Sequence, residues 1–181
     1  MKIGKNIIFT LMSILGISGC TGIPVGIEPV RGFELNRYLG TWYEIARLDH
    51  RFERGLSNVT ATYKLRPDGG LDVINRGYNY EKKVWKEAKG RAYFVAGPET
   101  GRLKVTFFWP FYGGYNIINL DKEDYQYALV CGPNRDYLWL LARQKKIDQE
   151  LMQKLFAKAE SLGFAVERLL IVRHEHDDAA P

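Results

Sequence analysis

From about residue 41 to residue 145, apolar side chains recur at every second position, and turn residues interrupt them at short, regular intervals. This pattern predicts strands over Thr41–Leu48, Ser57–Leu65, Leu71–Tyr78, Val84–Val95, Arg102–Trp109, Gly114–Leu120, Tyr125–Cys131 and Asp136–Arg143. PDGG at 67–70, GPETG at 97–101, GG at 113–114 and GPNRD at 132–136 supply the Gly, Pro, Asn and Asp that tight reversals need. Antiparallel strands joined by short turns make an up-and-down meander, and about eight of them close into a barrel able to hold one small ligand. The period then changes. In Asp148–Leu162, Leu151, Leu155, Ala159 and Leu162 form one stripe with Met152 and Phe156 beside it, which is the mark of an amphipathic helix. Asp148 is placed as its N-cap and Gly163 as its stop. A single helix after so many strands cannot provide the crossovers of a parallel sheet, so it is expected to pack outside the barrel. Arg168–Val172 is a candidate edge strand.

Alternation also fixes which side chains point inward. The interior face carries Glu44, Ala46, Asn75, Ala92, Phe94, Val105, Phe107, Tyr115, Ile117, Asn119, Val130, Tyr137, Trp139 and Leu141. Aromatic and small residues dominate it, and the small ones leave space. Leu138, Leu140 and Ala142 alternate with this face and are apolar too, so that outer face should meet the helix. Glu44 and Asn75 are the awkward members, because a buried carboxylate or amide needs a partner. Either they orient a ligand's polar group, or they satisfy each other and bound water.

The N-terminus has its own logic. Lys2 and Lys5 precede the largely apolar run Ile7–Ile17, and Ile17-Ser18-Gly19-Cys20 follows at once. The run falls short of the roughly 20 residues that span a bilayer and fits the h-region of a signal peptide. The segment resembles a bacterial lipoprotein signal, which implies cleavage after Gly19, a lipid on Cys20, and, with Thr21 rather than Asp following, delivery to the outer membrane. Residues 1–19 are then the signal, 20–32 a lipidated tether rich in Gly and Pro, and 33–181 the domain.

Composition narrows the function. The chain of 181 residues carries a net charge of +5, and Lys2 and Lys5 leave with the signal, so the mature surplus is slight. No extended basic run exists, which argues against nucleic acid as a partner. With Cys20 lipidated, Cys131 is a lone thiol; by alternation it faces away from Val130 and the interior. No histidine stands beside it or near a serine in the strands, so no nucleophile–base pair suggests an enzyme. His174 and His176 with Asp177 and Asp178 make at most an adventitious metal site on a tail, and no cofactor is expected.

Three sequence blocks carry a family resemblance. They are GTWYEIARLDHRFERG at 40–55, PFYGGYNIINLD at 110–121 with Asp124-Tyr125 following, and YALVCGPNRDYLWLLAR at 127–143. Together they resemble the signature blocks of the lipocalins, in particular the bacterial outer-membrane branch related to apolipoprotein D. The resemblance implies an all-β, eight-stranded barrel closed at one end, with Gly40, Trp42, Asp124, Tyr125 and Arg143 at the closed end. Meander geometry agrees, since the start of strand one, the sixth connection and the end of strand eight share an end. There the Arg143 guanidinium over the Trp42 indole makes a cation–π plug worth about 1–2 kcal/mol when desolvated.

At the other, open end lie Trp109, Phe111 and Tyr112, more aromatic surface than solvated loops usually carry. They gate the ligand, touch a membrane, or pack on a second subunit of a homodimer. The family implies a fatty acid or a lysophospholipid as ligand, and an outer-membrane protein that stores or carries lipid for membrane biogenesis or maintenance while facing the periplasm. Two other readings remain, a lipocalin-fold enzyme acting on a lipid and a structural lipoprotein that binds nothing.

Overall fold

The computed structural model describes residues 21–175; the leader, Cys20 and the tail from residue 176 lie outside the described residues. A short helix α1 (Leu35–Tyr38) precedes β1 (Gly40–Leu48), β2 (Leu56–Leu65), β3 (Leu71–Asn79) and β4 (Val84–Phe94). β5 (Arg102–Phe108), β6 (Phe111–Leu120), β7 (Tyr127–Cys131) and β8 (Leu138–Ala142) come next, then α2 (Gln149–Ser161) and a short β9 (Leu169–Ile171). Strands β2 to β8 pair antiparallel in chain order, and β1 joins β8 on one edge and β2 on the other. The sheet therefore closes into the expected eight-stranded up-and-down barrel. β9 adds to β1 at Ala46–Leu48, beyond the stretch of β1 that pairs with β2.

The helix ends as its sequence dictates. The Asp148 carboxylate accepts the backbone N–H groups of Glu150 (2.8 Å) and Leu151 (3.1 Å), and Gly163 takes a φ of +82° just past the last turn. Leu155 and Ala159 are buried against Leu138, Leu140 and Ala142, so the outer face of β8 meets the helix. Asp148→Ala is expected to lower stability by about 1 kcal/mol in urea unfolding, with the barrel's ligand affinity unaltered.

Two features differ from the sequence expectation. The β5–β6 reversal lies at Trp109-Pro110 and not at Gly113-Gly114; β6 already begins at Phe111. Gly114 serves a different purpose. A side chain there would meet the Gly22 carbonyl at 2.5 Å, because the N-terminal segment crosses β6 at that point. That segment, expected as a tether, is extended but lies along the barrel wall. The Gly22 carbonyl accepts from Asn116 Nδ2 (3.1 Å), and Ile27 is buried. The Val30 backbone N–H donates to the Ile117 carbonyl, and the Val30 carbonyl accepts from the Gly101 N–H. The segment runs from the open end down to Phe33, and α1 then turns under the base.

Candidate functional site

Inside the barrel is a cavity of about 100 Å³. Its wall is mainly apolar, with Val59, Ala61, Leu71, Val73, Ala92, Leu103, Val105 and Leu141 among its members. Tyrosines form much of the lower wall. The Tyr115 hydroxyl lies 2.7 Å from both the Tyr38 and the Tyr63 hydroxyls, and burial pushes all three well above the ordinary phenol range. The trio thus stays neutral and spends its polar atoms on itself.

Below it the barrel is sealed. Trp42 is fully buried and donates Nε1 to the Tyr38 carbonyl at 2.8 Å. The Arg143 guanidinium lies 4.0 Å from the centre of the Trp42 ring. It donates to the carbonyls of Thr41 (2.9 Å), Arg37 (2.7 Å) and Leu39 (2.9 Å). The Tyr125 hydroxyl accepts the Glu34 backbone N–H at 2.9 Å, and its ring carries the Arg37 guanidinium. Gly40 has a φ of +93°, and Arg143 sits 3.5 Å from where its Cβ would be. Asp124 contributes through its backbone; the neighbouring Asp121 carboxylate is the acceptor, from Asp124 and Gln126 N–H groups. Alternation offered no means of telling these two carboxylates apart.

A polar cluster occupies one side of the cavity. Glu44 and Asn75 both line it. Glu44 Oε1 accepts from Arg47 Nη1 at 2.6 Å, and Arg47 also donates to the carbonyls of Glu53 and Leu56. The β1–β2 connection folds back so that Glu53 Oε2 lies 3.0 Å from both Trp139 Nε1 and His50 Nε2. Burial, then the nearby Glu53 charge, raises the Glu44 carboxyl well above its usual range despite Arg47. Burial acts on Glu53 in the same sense, but the adjacent His50, the hydrogen bond from Trp139 and the Arg47 charge outweigh it and hold that carboxyl down. Asn75 Oδ1 is buried with no protein donor.

Of the residues assigned inward by alternation, Glu44, Asn75, Ala92, Val105, Phe107, Tyr115, Trp139 and Leu141 line the cavity. Phe94, Ile117 and Val130 pack in the inner core around it. Tyr137 stacks on Trp139 and against His50, just ahead of β8. Ala46 and Asn119 are corrections. A bulge between Glu44 and Ala46 pairs Ala46 with outward Leu140, and one between Ile117 and Asn119 pairs Asn119 with outward Leu129. Each bulge inserts a residue and inverts the facing of the strand beyond it. The first of them also turns Arg47 inward, a residue that strict alternation places outside. Cys131 lies among the outer core residues, between sheet and helix, and burial pushes its thiol up to about 12. It is a packing residue, inert at neutral pH.

The open end exposes aromatics. Phe108, Trp109 and Phe111 are 77%, 78% and 72% exposed at the tip of the β5–β6 hairpin, and Tyr112 is half-buried under Lys104. The upper half of β4 extends past its pairing with β5, which leaves Ala88 exposed although alternation turns it inward.

Comparison with known proteins agrees with this architecture. The lipocalin-like domain family matches residues 33–174. The outer membrane lipoprotein Blc of Vibrio cholerae serotype O1 is 52% identical over 168 residues, covering 93% of this chain and 98% of its own. The protein of the same name from Escherichia coli K12 is 57% identical over 150 residues, covering 83% and 84%. Among solved structures, insecticyanin from the tobacco hornworm superposes with a TM-score of 0.65 at 16% identity, covering 84% of this chain and 87% of its own. Closed barrel, external helix, plugged base and family match converge on one assignment: the chain belongs to the lipocalin family.

Proposed function

We propose that this lipocalin is a lipid carrier of the bacterial outer membrane, held there by a lipid on Cys20 with its barrel in the periplasm. It stores or ferries a single-chain lipid, fatty acid or lysophospholipid, in the service of membrane biogenesis or maintenance. The observation that carries this reading is the apolar void, sealed at its base by Trp42 and Arg143 and open at the other end. Its 100 Å³ hold roughly seven to ten water-sized groups, so the distal part of an acyl chain fits and the remainder reaches toward the rim. At about 0.8 kcal/mol per buried methylene, that is roughly 6–8 kcal/mol before association costs, consistent with micromolar binding. The buried Asn75 Oδ1, which has no protein donor, favours a ligand that brings one, such as the glycerol hydroxyl of a lysophospholipid. The relatives named outer membrane lipoproteins and the Ile17–Cys20 sequence support the anchored location.

Native mass spectrometry of the gently extracted protein tests this directly. A co-purified single-chain lipid of one barrel stoichiometry is expected, together with a mass increment on Cys20. A barrel that carries no lipid, and that fails to take up an acyl fluorophore saturably, overturns the carrier reading and leaves a structural lipoprotein.

A further inference from the structure

The strap along the barrel wall fixes where the N-terminal end of the domain leaves it. The Gly22 carbonyl accepts from Asn116 Nδ2 at 3.1 Å, and Gly22 also lies against Gly114 and the Pro133 carbonyl. Gly114 is three residues up β6 from Phe111, and Pro133 belongs to the β7–β8 connection; both lie toward the open end. From Gly22 to Cys20 the chain spans at most about 7 Å, and from Gly114 to the hairpin tip about 10 Å. An anchor at Cys20 therefore leaves the barrel beside the mouth, on a leash too short to let the barrel turn its base to the membrane.

That same end holds the main exposed aromatic surface among the described residues. Phe108, Trp109 and Phe111 crown one side of it, and Phe52 (68% exposed) stands across the mouth on the β1–β2 connection. At the closed end the large apolar side chains that are exposed are Leu65 and Val95, neither aromatic. At this end exposed Arg51, Lys82 and Lys83, on the β1–β2 and β3–β4 connections, outnumber exposed Glu81 and Asp136, and Asp49 is engaged by Arg54 at 2.9 Å. Aromatic rings with a basic fringe suit the interfacial zone of a bilayer with anionic headgroups.

We propose that the aromatic tip of the β5–β6 hairpin inserts into the bilayer that holds Cys20, so that the barrel mouth faces the membrane and exchanges lipid with it directly. The proposal deepens the carrier reading and rests on its lipid anchor. A bilayer is the favoured occupant of the tip because the chain leading to the anchor ends within reach of it.

Trp109→Cys and, at the opposite end, Lys122→Cys provide attachment points for the fluorophore NBD in the full chain, acylated in a bacterial host. Cys131 is buried and does not compete for label. The labelled proteins are reconstituted into phosphatidylethanolamine–phosphatidylglycerol vesicles containing doxyl lipids, with flotation and the mass of Cys20 recorded in parallel. The expected result is a blue-shifted label at position 109, quenched severalfold by doxyl lipid, and an unquenched label at 122. A floating, acylated protein whose tip label is unquenched, or whose label at 122 is quenched as strongly, overturns docking while the anchor stands. A tip label shielded from aqueous iodide but not reached by doxyl lipid, with a cross-linked dimer, assigns the tip to a second copy and also overturns it. An unacylated Cys20 with no flotation removes the anchor, and the docking geometry with it.

Discussion

Replacing Arg143 by Ala is expected to cost about 3 kcal/mol of stability, a large loss for a side chain outside the hydrophobic core. Its guanidinium binds three carbonyls around the α1–β1 junction, those of Arg37 in α1, Leu39 between the elements and Thr41 in β1, and stacks on Trp42. A fourth, longer contact reaches the Tyr125 carbonyl at 3.4 Å, in the β6–β7 connection. A net hydrogen bond from a charged donor is worth about 1.5–3 kcal/mol. The group is only partly buried, so the full sum of such bonds is not available. In a domain of this size about 3 kcal/mol lowers the melting temperature by roughly 6–12 °C. Arg143→Lys keeps a cation near the indole but lacks the planar fork, and should recover only a minor part of the loss. Ligand affinity below the melting transition should be unchanged, since Arg143 does not line the cavity. A loss under 1 kcal/mol in urea unfolding would mean that α1 and Tyr125 close the base without it.

The architecture was legible because alternation, turn residues and helix period are local. Each strand of the barrel lies within two or three residues of its expected bounds, and Asp148 and Gly163 delimit the helix. The features that escaped the pattern have a common cause. Bulges at Glu44/Ala46 and Ile117/Asn119 depend on how neighbouring strands curve around the barrel, and no residue type in either strand announces them. One inserted residue sent Ala46 and Asn119 outward and Arg47 inward. The polar cluster was hidden for a second reason. Glu53 and His50 belong to a connection, and only its return over the barrel brings them to Trp139. The spacing of three between Glu44 and Arg47, and between His50 and Glu53, was visible in the sequence. In a strand or a loop that spacing carries no pairing rule of the kind it has in a helix. The Trp109-Pro110 reversal was masked by Gly113-Gly114, where Gly114 makes room for a crossing backbone and not for a turn.

Ala61→Trp is expected to abolish lipid binding while leaving the barrel folded. Ala61 is only partly buried, pairs with Trp42 and Asn75 across the neighbouring strands, and turns its methyl group into the cavity. An indole has nine ring atoms, and the void admits roughly seven to ten groups of water size. One substitution therefore fills most of the space an acyl chain would take. Exclusion of even four methylenes removes about 3 kcal/mol, a factor of more than a hundred in affinity. Because the new side chain enters empty volume, the stability change should stay within about 2 kcal/mol, the range of moderate overpacking. Ile74→Trp provides the matched control, since Ile74 pairs with Thr62 on the outer face of β3 and leaves the cavity untouched. Titration of an acyl fluorophore should lose saturable binding in the first variant and keep it in the second. Equal affinity in both would place the lipid outside the barrel, on the aromatic rim, and the sealed base would then serve stability alone.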